Sequence, residues 1–210
     1  MRDNPLYNAV LDGDARGAKA AVEEALAIGA DPQDLLSSYM IPAMDEVGKR
    51  FDDGEYFVPE LLISARAMKA GMELLRPLLA ETGAKPVGTV VVGTVRGDLH
   101  DIGKNLVASM LEGGGFKVID LGVDVGPEKF TAAITEHHPD IVAMSALLTT
   151  TMPGMKATIE ELTRAGIRNS VKVMIGGAPV TRRYAAEIGA DAFSESASGA
   201  VREAKSLLNA

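Results

Sequence analysis

No cysteine occurs in the 210 residues. Its absence removes thiolate nucleophiles, disulfides, iron–sulfur clusters and cysteine-ligated zinc together, leaving histidine and carboxylates as metal ligands. Histidine is itself scarce, with three in the chain. Positive charge is in the minority: 21 Lys and Arg stand against 29 Asp and Glu, a net charge of −8. Such a field is wrong for general binding to nucleic acid or to an anionic membrane. No apolar run approaches the ~20 residues needed to span a bilayer. No basic stretch near the start leads into an apolar segment with a small-residue cleavage site, so a cytoplasmic location is expected. The length suits one α/β domain, or a small module joined to a domain of ordinary size.

What is present falls into two halves of different pattern. Residues 1–82 carry only helix signals. In "DARGAKAAVEEALAIGA", Asp14 serves as N-cap and Gly29 as stop, with Ala21, Val22, Ala25, Leu26 and Ile28 on an apolar face. "DPQDLLSSYMIPAMDEVGKRF" opens on Asp31 and Pro32, and Pro42 is expected to kink or divide it. "PELLISARAMKAGMELLRPLLAE" continues the helical pattern from Pro59, and "PLYNAVLDG" adds a short helix. Four antiparallel helices are expected. After a short polar linker over 83–86, the chain from 87 to 210 alternates strand-like runs with stretches of helix length: "VGTVVVGTV", "KVIDLG", "DIVAMSALL", "VKVMIGG" and "DAFS". That alternation predicts an α/β domain with a doubly wound, five-stranded parallel sheet.

With strand order 2-1-3-4-5, strands 1 and 3 are neighbours whose following loops diverge, and ligands bind in the crevice between them. The unusual polar and glycine residues fall at that edge: "GDLHDIG" after strand 1, "SALLTTTM" after strand 3 and "IGGAP" after strand 4. His100 reads either as a surface or capping histidine or as a ligand. Asp98 stands two residues before it and in extended chain points the same way, so its carboxylate can accept the Nδ1 proton and leave Nε2 free for a metal. One imidazole without cysteine cannot hold zinc unaided, so a metal must arrive already held by something else, as in a macrocycle. Gly103 either lets the next helix start close to the sheet or leaves room for a ligand. Gly176 and Gly177 permit close approach of a ligand or another chain. Ser145, Thr149, Thr150 and Thr151 offer hydroxyls at the same mouth, or satisfy local backbone. Gly113, Gly114 and Gly115 read as a helix stop, and His137 and His138 as solvated.

"DLHDIG" (98–103), "SAL" (145–147) and "GG" (176–177) resemble the Asp-x-His-x-x-Gly, Ser-x-Leu and Gly-Gly motifs of corrinoid-binding domains, in that order and at similar spacing. "IPAMDEVGKRFDDGEYFVPELLISARAMKAGMELL" resembles the helical cap that precedes such a domain in cobalamin-dependent methionine synthase and in the small corrinoid proteins of methanol, methylamine and methoxyarene methyltransferase systems. The resemblance implies a four-helix cap followed by a flavodoxin-like domain that binds cobalamin or a related cobamide. Its nucleotide tail enters the α/β domain, and a protein histidine replaces that base below the cobalt. His100 matches the metal ligand, Asp98 the residue that holds it, and Thr151 the hydroxyl that extends the relay, where methionine synthase has Ser. Asp101, Ile102, Gly103, Ser145, Leu147, Thr149, Gly176 and Gly177 match positions at the cofactor's slot. Phe51 and Val58 match apolar residues over the upper face of the corrin, Val58 replacing a Leu.

The function implied is that of a methyl carrier without catalytic residues of its own. Its partners would be a donor-specific methyltransferase, an acceptor methyltransferase and a reductive activase. The partner recognises the donor, so methanol, a methylamine and a methoxylated aromatic stay open. An adenosylcobalamin mutase subunit shares the motifs but lacks this cap, and a corrinoid sensor needs an effector domain. A phosphoacceptor receiver would show an acidic cluster after strand 1 and an Asp ending strand 3. A flavodoxin would stack aromatics on its flavin, and aromatic residues are 4% of the chain. The helical half alone would also suit an interaction bundle with methionine as core filler.

Overall fold

A computed structural model describes residues 4–81 and 85–209, which form two compact units, one helical and one built on a sheet. The linker expected over 83–86 lies partly outside the described residues.

The helical unit comprises α1 (Pro5–Leu11), α2 (Ala15–Ala27), α3 (Pro32–Asp34), a π-helical stretch (Leu35–Met40), α4 (Ile41–Asp52) and α5 (Val58–Glu81). Short polar side chains start the first three helices. Asn4 accepts from the N–H groups of Leu6 and Tyr7, Asp14 from Arg16 and Gly17, and Asp31 from Gln33. Each such cap stabilises its helix by about 1 kcal/mol. Pro42 does not divide its helix. Proline lacks an N–H and its ring collides with the carbonyl four residues back, and the ladder widens just before it. The Ile41 N–H bonds to Leu36 O, five residues back instead of four. Leu6, Val10, Val22, Met40, Val47, Leu61, Met68 and Leu75 form the buried core. The buried Ser64 hydroxyl donates to Leu11 O.

The second unit runs β1 (Thr89–Thr94), α6 (Ile102–Gly113), β2 (Lys117–Asp120), α7 (Pro127–His137), β3 (Ile141–Ser145), α8 (Pro153–Arg164), a 3₁₀ turn (Arg168–Ser170), β4 (Lys172–Gly176), α9 (Arg182–Ile188), β5 (Ala192–Ser194) and α10 (Ala197–Leu208). All strands are parallel, in the order β2-β1-β3-β4-β5, as the alternation predicts. Val90–Thr94, Ile141–Met144 and Val173–Ile175 are buried without a break, the mark of strands covered on both faces. Phe130, Met155, Leu162 and Ile175 are the largest fully buried side chains of the core on one face, each worth roughly 1.5–3 kcal/mol on burial. Register places Thr94, Ser145, Gly176 and Ser194 in one row across β1, β3, β4 and β5. The three motif segments therefore leave the sheet side by side. His137 ends α7 and His138 caps it in the left-handed conformation; both are exposed, as read from the sequence. Gly113 ends α6 as its last residue, and Gly115, with φ +89°, completes the stop.

Candidate functional site

Asp98 lies in the turn after β1 and has no exposed surface. A buried carboxylate must be hydrogen-bonded on both oxygens to stay charged. Its Oδ1 accepts from the His100 ring Nδ1 at 2.7 Å and the His100 N–H at 3.1 Å. Its Oδ2 accepts from the Leu147 N–H at 2.8 Å, the Leu148 N–H at 3.4 Å and the Thr151 hydroxyl at 2.7 Å. Burial pushes the carboxyl pKa up. The hydrogen bonds from Thr151, Leu147 and His100 outweigh it and hold the group well below the usual carboxylate range. Asp98 is thus an anion fixed from two loops.

That anion fixes the imidazole. With Nδ1–H directed at Oδ1, the lone pair resides on Nε2, which has no protein partner among the described residues. The His100 side chain is 51% exposed, so Nε2 is open to a ligand. The Thr94 hydroxyl, at the end of β1, donates to His100 O at 2.9 Å. The exposed apolar side chains of Leu99, Leu147 and Leu148 lie in the two loops that meet at Asp98, and that of Ile102 is exposed at the first position of α6.

The glycines separate into two kinds. A Cβ on Gly177, where φ is +127°, would stand 1.9 Å from Ala146 O, and one on Gly176 would stand 3.0 Å from Ser194 O. The chain itself requires Gly177 to be bare, whereas Ser194 O would have to give way by only a few tenths of an ångström to admit a Cβ at Gly176. A Cβ on Gly103 would meet nothing within 4 Å. Close packing against the sheet therefore does not account for Gly103. Its missing side chain leaves open space at the start of α6.

Two B12 binding domain models match the chain, one over residues 88–205 and the other over residues 3–76. This chain belongs to the B12-binding family. A trimethylamine corrinoid protein of Methanosarcina mazei is 46% identical over 203 residues, spanning 96% of this chain and 93% of that protein. Among solved structures, the methanol:cobalamin methyltransferase complex of Methanosarcina barkeri matches with a TM-score of 0.86 and 32% identity, over 98% of this chain and 78% of that one. A cobalamin-binding protein of Desulfitobacterium hafniense matches with a TM-score of 0.82 and 35% identity, over 97% of both chains. The cofactor of this B12-binding protein is a cobalt corrinoid.

The residues present fit such a group. No cluster of three or more His, Cys, Asp or Glu among the described residues could hold a bare metal ion. A metal carried by its own macrocycle needs only one further donor, and a single oriented imidazole beside a bare glycine is a donor set of that kind. Of the residues singled out from the sequence, Asp98, His100, Leu147 and Thr151 are joined directly by hydrogen bonds. Asp101, Ile102, Gly103 and Thr149 are exposed in the same loops or at the start of α6, and Ser145 and Gly176 are half-buried in the row that ends the strands. Asp101 accepts from the Asn105 side chain at 3.1 Å. Phe51 and Val58 stand on the helical unit: Phe51 is half-buried near the end of α4, and Val58 opens α5 exposed, close in sequence to the exposed Phe57 and Leu62.

Five contributing groups are absent from the sequence reading. The Leu147 and Leu148 N–H groups bind Asp98 through main chain alone, which no side-chain pattern announces. Lys104 is 3% exposed, its ammonium held by Asn105 Oδ1 and Asp120 Oδ2. Thr94 and Asp124 hold the His100 loop from behind. No helix among the described residues is long and apolar enough to cross a membrane.

Proposed function

We propose that this chain is a cytoplasmic methyl carrier, a corrinoid protein that takes a methyl group from a donor-specific methyltransferase and yields it to an acceptor methyltransferase, with a reductive activase as third partner. The bound cobalt supplies the methyl-accepting and methyl-donating centre. In this reading His100 Nε2 would be the protein's ligand to the cobalt, taking the place of the cofactor's own base. Gly103, Ser145, Leu147, Thr149, Gly176 and Gly177 line the slot for the nucleotide tail, with Asp101 and Ile102 at its entrance. Asp98 keeps the proton on Nδ1, and Thr151 keeps Asp98 ionised by donating to Oδ2. When Nε2 is released it can hold a proton, with the Asp98 anion opposite to balance it. Residues 1–82 serve as the cap, with Phe51 and Val58 as its apolar cover for the corrin, and 83–86 as the linker between cap and corrinoid-binding domain. The names of the relatives support a methylamine as the donor class.

The observation that carries this reading is the single oriented imidazole, its Nδ1 locked on a buried carboxylate and its Nε2 free. The test is electron paramagnetic resonance of protein reconstituted with hydroxocobalamin and reduced to paramagnetic cobalt, prepared with natural and with ¹⁵N-labelled histidine. A nitrogen splitting that changes from triplet to doublet on labelling, and vanishes in His100→Ala, is the expected result. A splitting indifferent to the histidine label removes His100 as ligand.

A further inference from the structure

The Asp98–His100 pair is gripped by a residue from a loop that plays no part in the proposed ligand set. Asp124, between β2 and α7, lies in the left-handed conformation at φ +52°. Its Oδ1 accepts from the Gly97 N–H at 2.7 Å, while its own N–H donates to Asp98 O at 3.0 Å. The two bonds form a reciprocal clamp across the turn in which Gly97 takes φ +81°. A backbone bridge between Val95 and Val125 lies beside it. Asp98 is therefore fixed twice, its main chain from the β2–α7 loop and its carboxylate from the β3–α8 loop.

The left-handed conformation is costly for most side chains and tolerated by Asp and Asn. Here it gives Asp124 both bonds at once. No other side chain among the described residues bonds the Gly97 N–H. We infer that Asp124 is a positioning residue for His100, setting the backbone of the 97–100 turn so that the imidazole is presented with its proton on Nδ1. Its action on the metal rests on the ligand role proposed for His100, whereas its action on the ring does not.

The test is Asp124→Gly, which retains a left-handed backbone and the N–H bond to Asp98 and deletes only the carboxylate, alongside Asp124→Asn, which keeps an acceptor oxygen. The first measurement is the ¹⁵N spectrum of the His100 ring in cofactor-free protein, with solvent exchange of its Nδ1 proton. In the wild type the protonated and bare nitrogens should be distinct. Asp124→Gly should speed that exchange about tenfold, the equivalent of losing ~1.4 kcal/mol of fixation, and draw the two resonances together. Asp124→Asn should restore both. An Asp124→Gly ring spectrum and exchange rate equal to the wild type would overturn the inference. So would an Asp124→Gly chain that fails to fold, which would make the clamp a requirement of the fold alone. The second measurement is the labelled-histidine splitting in reconstituted Asp124→Gly, expected weaker or heterogeneous. If the wild type itself shows no such splitting, the ligand reading fails, and the inference is still judged by the cofactor-free ring.

Discussion

Replacing Asp98 by Asn preserves size and one acceptor while turning the other oxygen into a donor. Four of the five donors converging on the carboxylate approach within 3.1 Å, and an amide nitrogen can accept from none of them. If the new nitrogen takes the Oδ2 place, it opposes the Leu147 N–H, whose direction the main chain fixes. If it takes the Oδ1 place, His100 can respond by moving its ring proton from Nδ1 to Nε2. The second arrangement is the cheaper. It leaves the His100 N–H unpaired and exchanges a charge-assisted set for a neutral one, costing about 2–3 kcal/mol. That amounts to a fall of roughly 5–10 °C in the unfolding midpoint. It also protonates the atom proposed as metal ligand. The assay is thermal unfolding of the cofactor-free protein at neutral pH, followed by circular dichroism, with the ¹⁵N spectrum of the imidazole. An unchanged midpoint with the proton still on Nδ1 would refute the account of the site.

Two glycine variants should diverge. Gly177→Ala, at φ +127° with its Cβ 1.9 Å from Ala146 O, should cost upwards of ~3 kcal/mol in unfolding experiments. Gly103→Ala meets no protein atom within 4 Å and should raise cofactor-free stability by about 0.5–1 kcal/mol, yet weaken hydroxocobalamin uptake in a spectrophotometric titration. Urea unfolding should find Asp120→Ala more harmful than Lys104→Met. The first strands a nearly buried ammonium, at a cost of about 3 kcal/mol. The second leaves a carboxylate that is 40% exposed and can hydrate. The reverse order would refute the burial argument. The Asp98 carboxyl is lower in the folded than in the unfolded chain, so the unfolded state takes up the proton first as pH falls. The stability it contributes is complete above the ordinary carboxylate range near pH ~4 and is lost progressively below it. Asp98→Asn should therefore show a shallower loss of stability in acid, measured by urea midpoints down the pH series.

The parallel sheet and its order were legible because alternating strands and helices of these lengths admit few connections. The caps at Asp14 and Asp31 were legible because the signal is local. Asp98 and His100 could be paired from a spacing of two. The grip of Leu147 and Leu148 on Asp98 was not, since it depends on where a loop about fifty residues away places its main chain. Lys104, one residue after Gly103 in a helix's first turn, reads as a solvated charge until Asp120 at the end of β2 is brought to it. Gly103 and Gly177 look alike in a sequence, and only the atoms around them show that one is forced by the protein and the other left vacant.

The wide turn before Pro42 holds one residue of slack. Losing a residue from a regular α-helix rotates everything beyond it by about 100° and would swing the buried Ala43, Met44 and Val47 out of their core. Between Leu35 and Met40 the ladder already accommodates the surplus, so dropping the exposed Ser37 would close it to ordinary spacing and leave α4 in phase. Pro42 then becomes the obstacle, its ring pressed against the carbonyl of the preceding turn. Deleting Ser37 and replacing Pro42 by Ala together is thus the change in length this helix can absorb, and the proline and the extra residue are best regarded as one compensated pair.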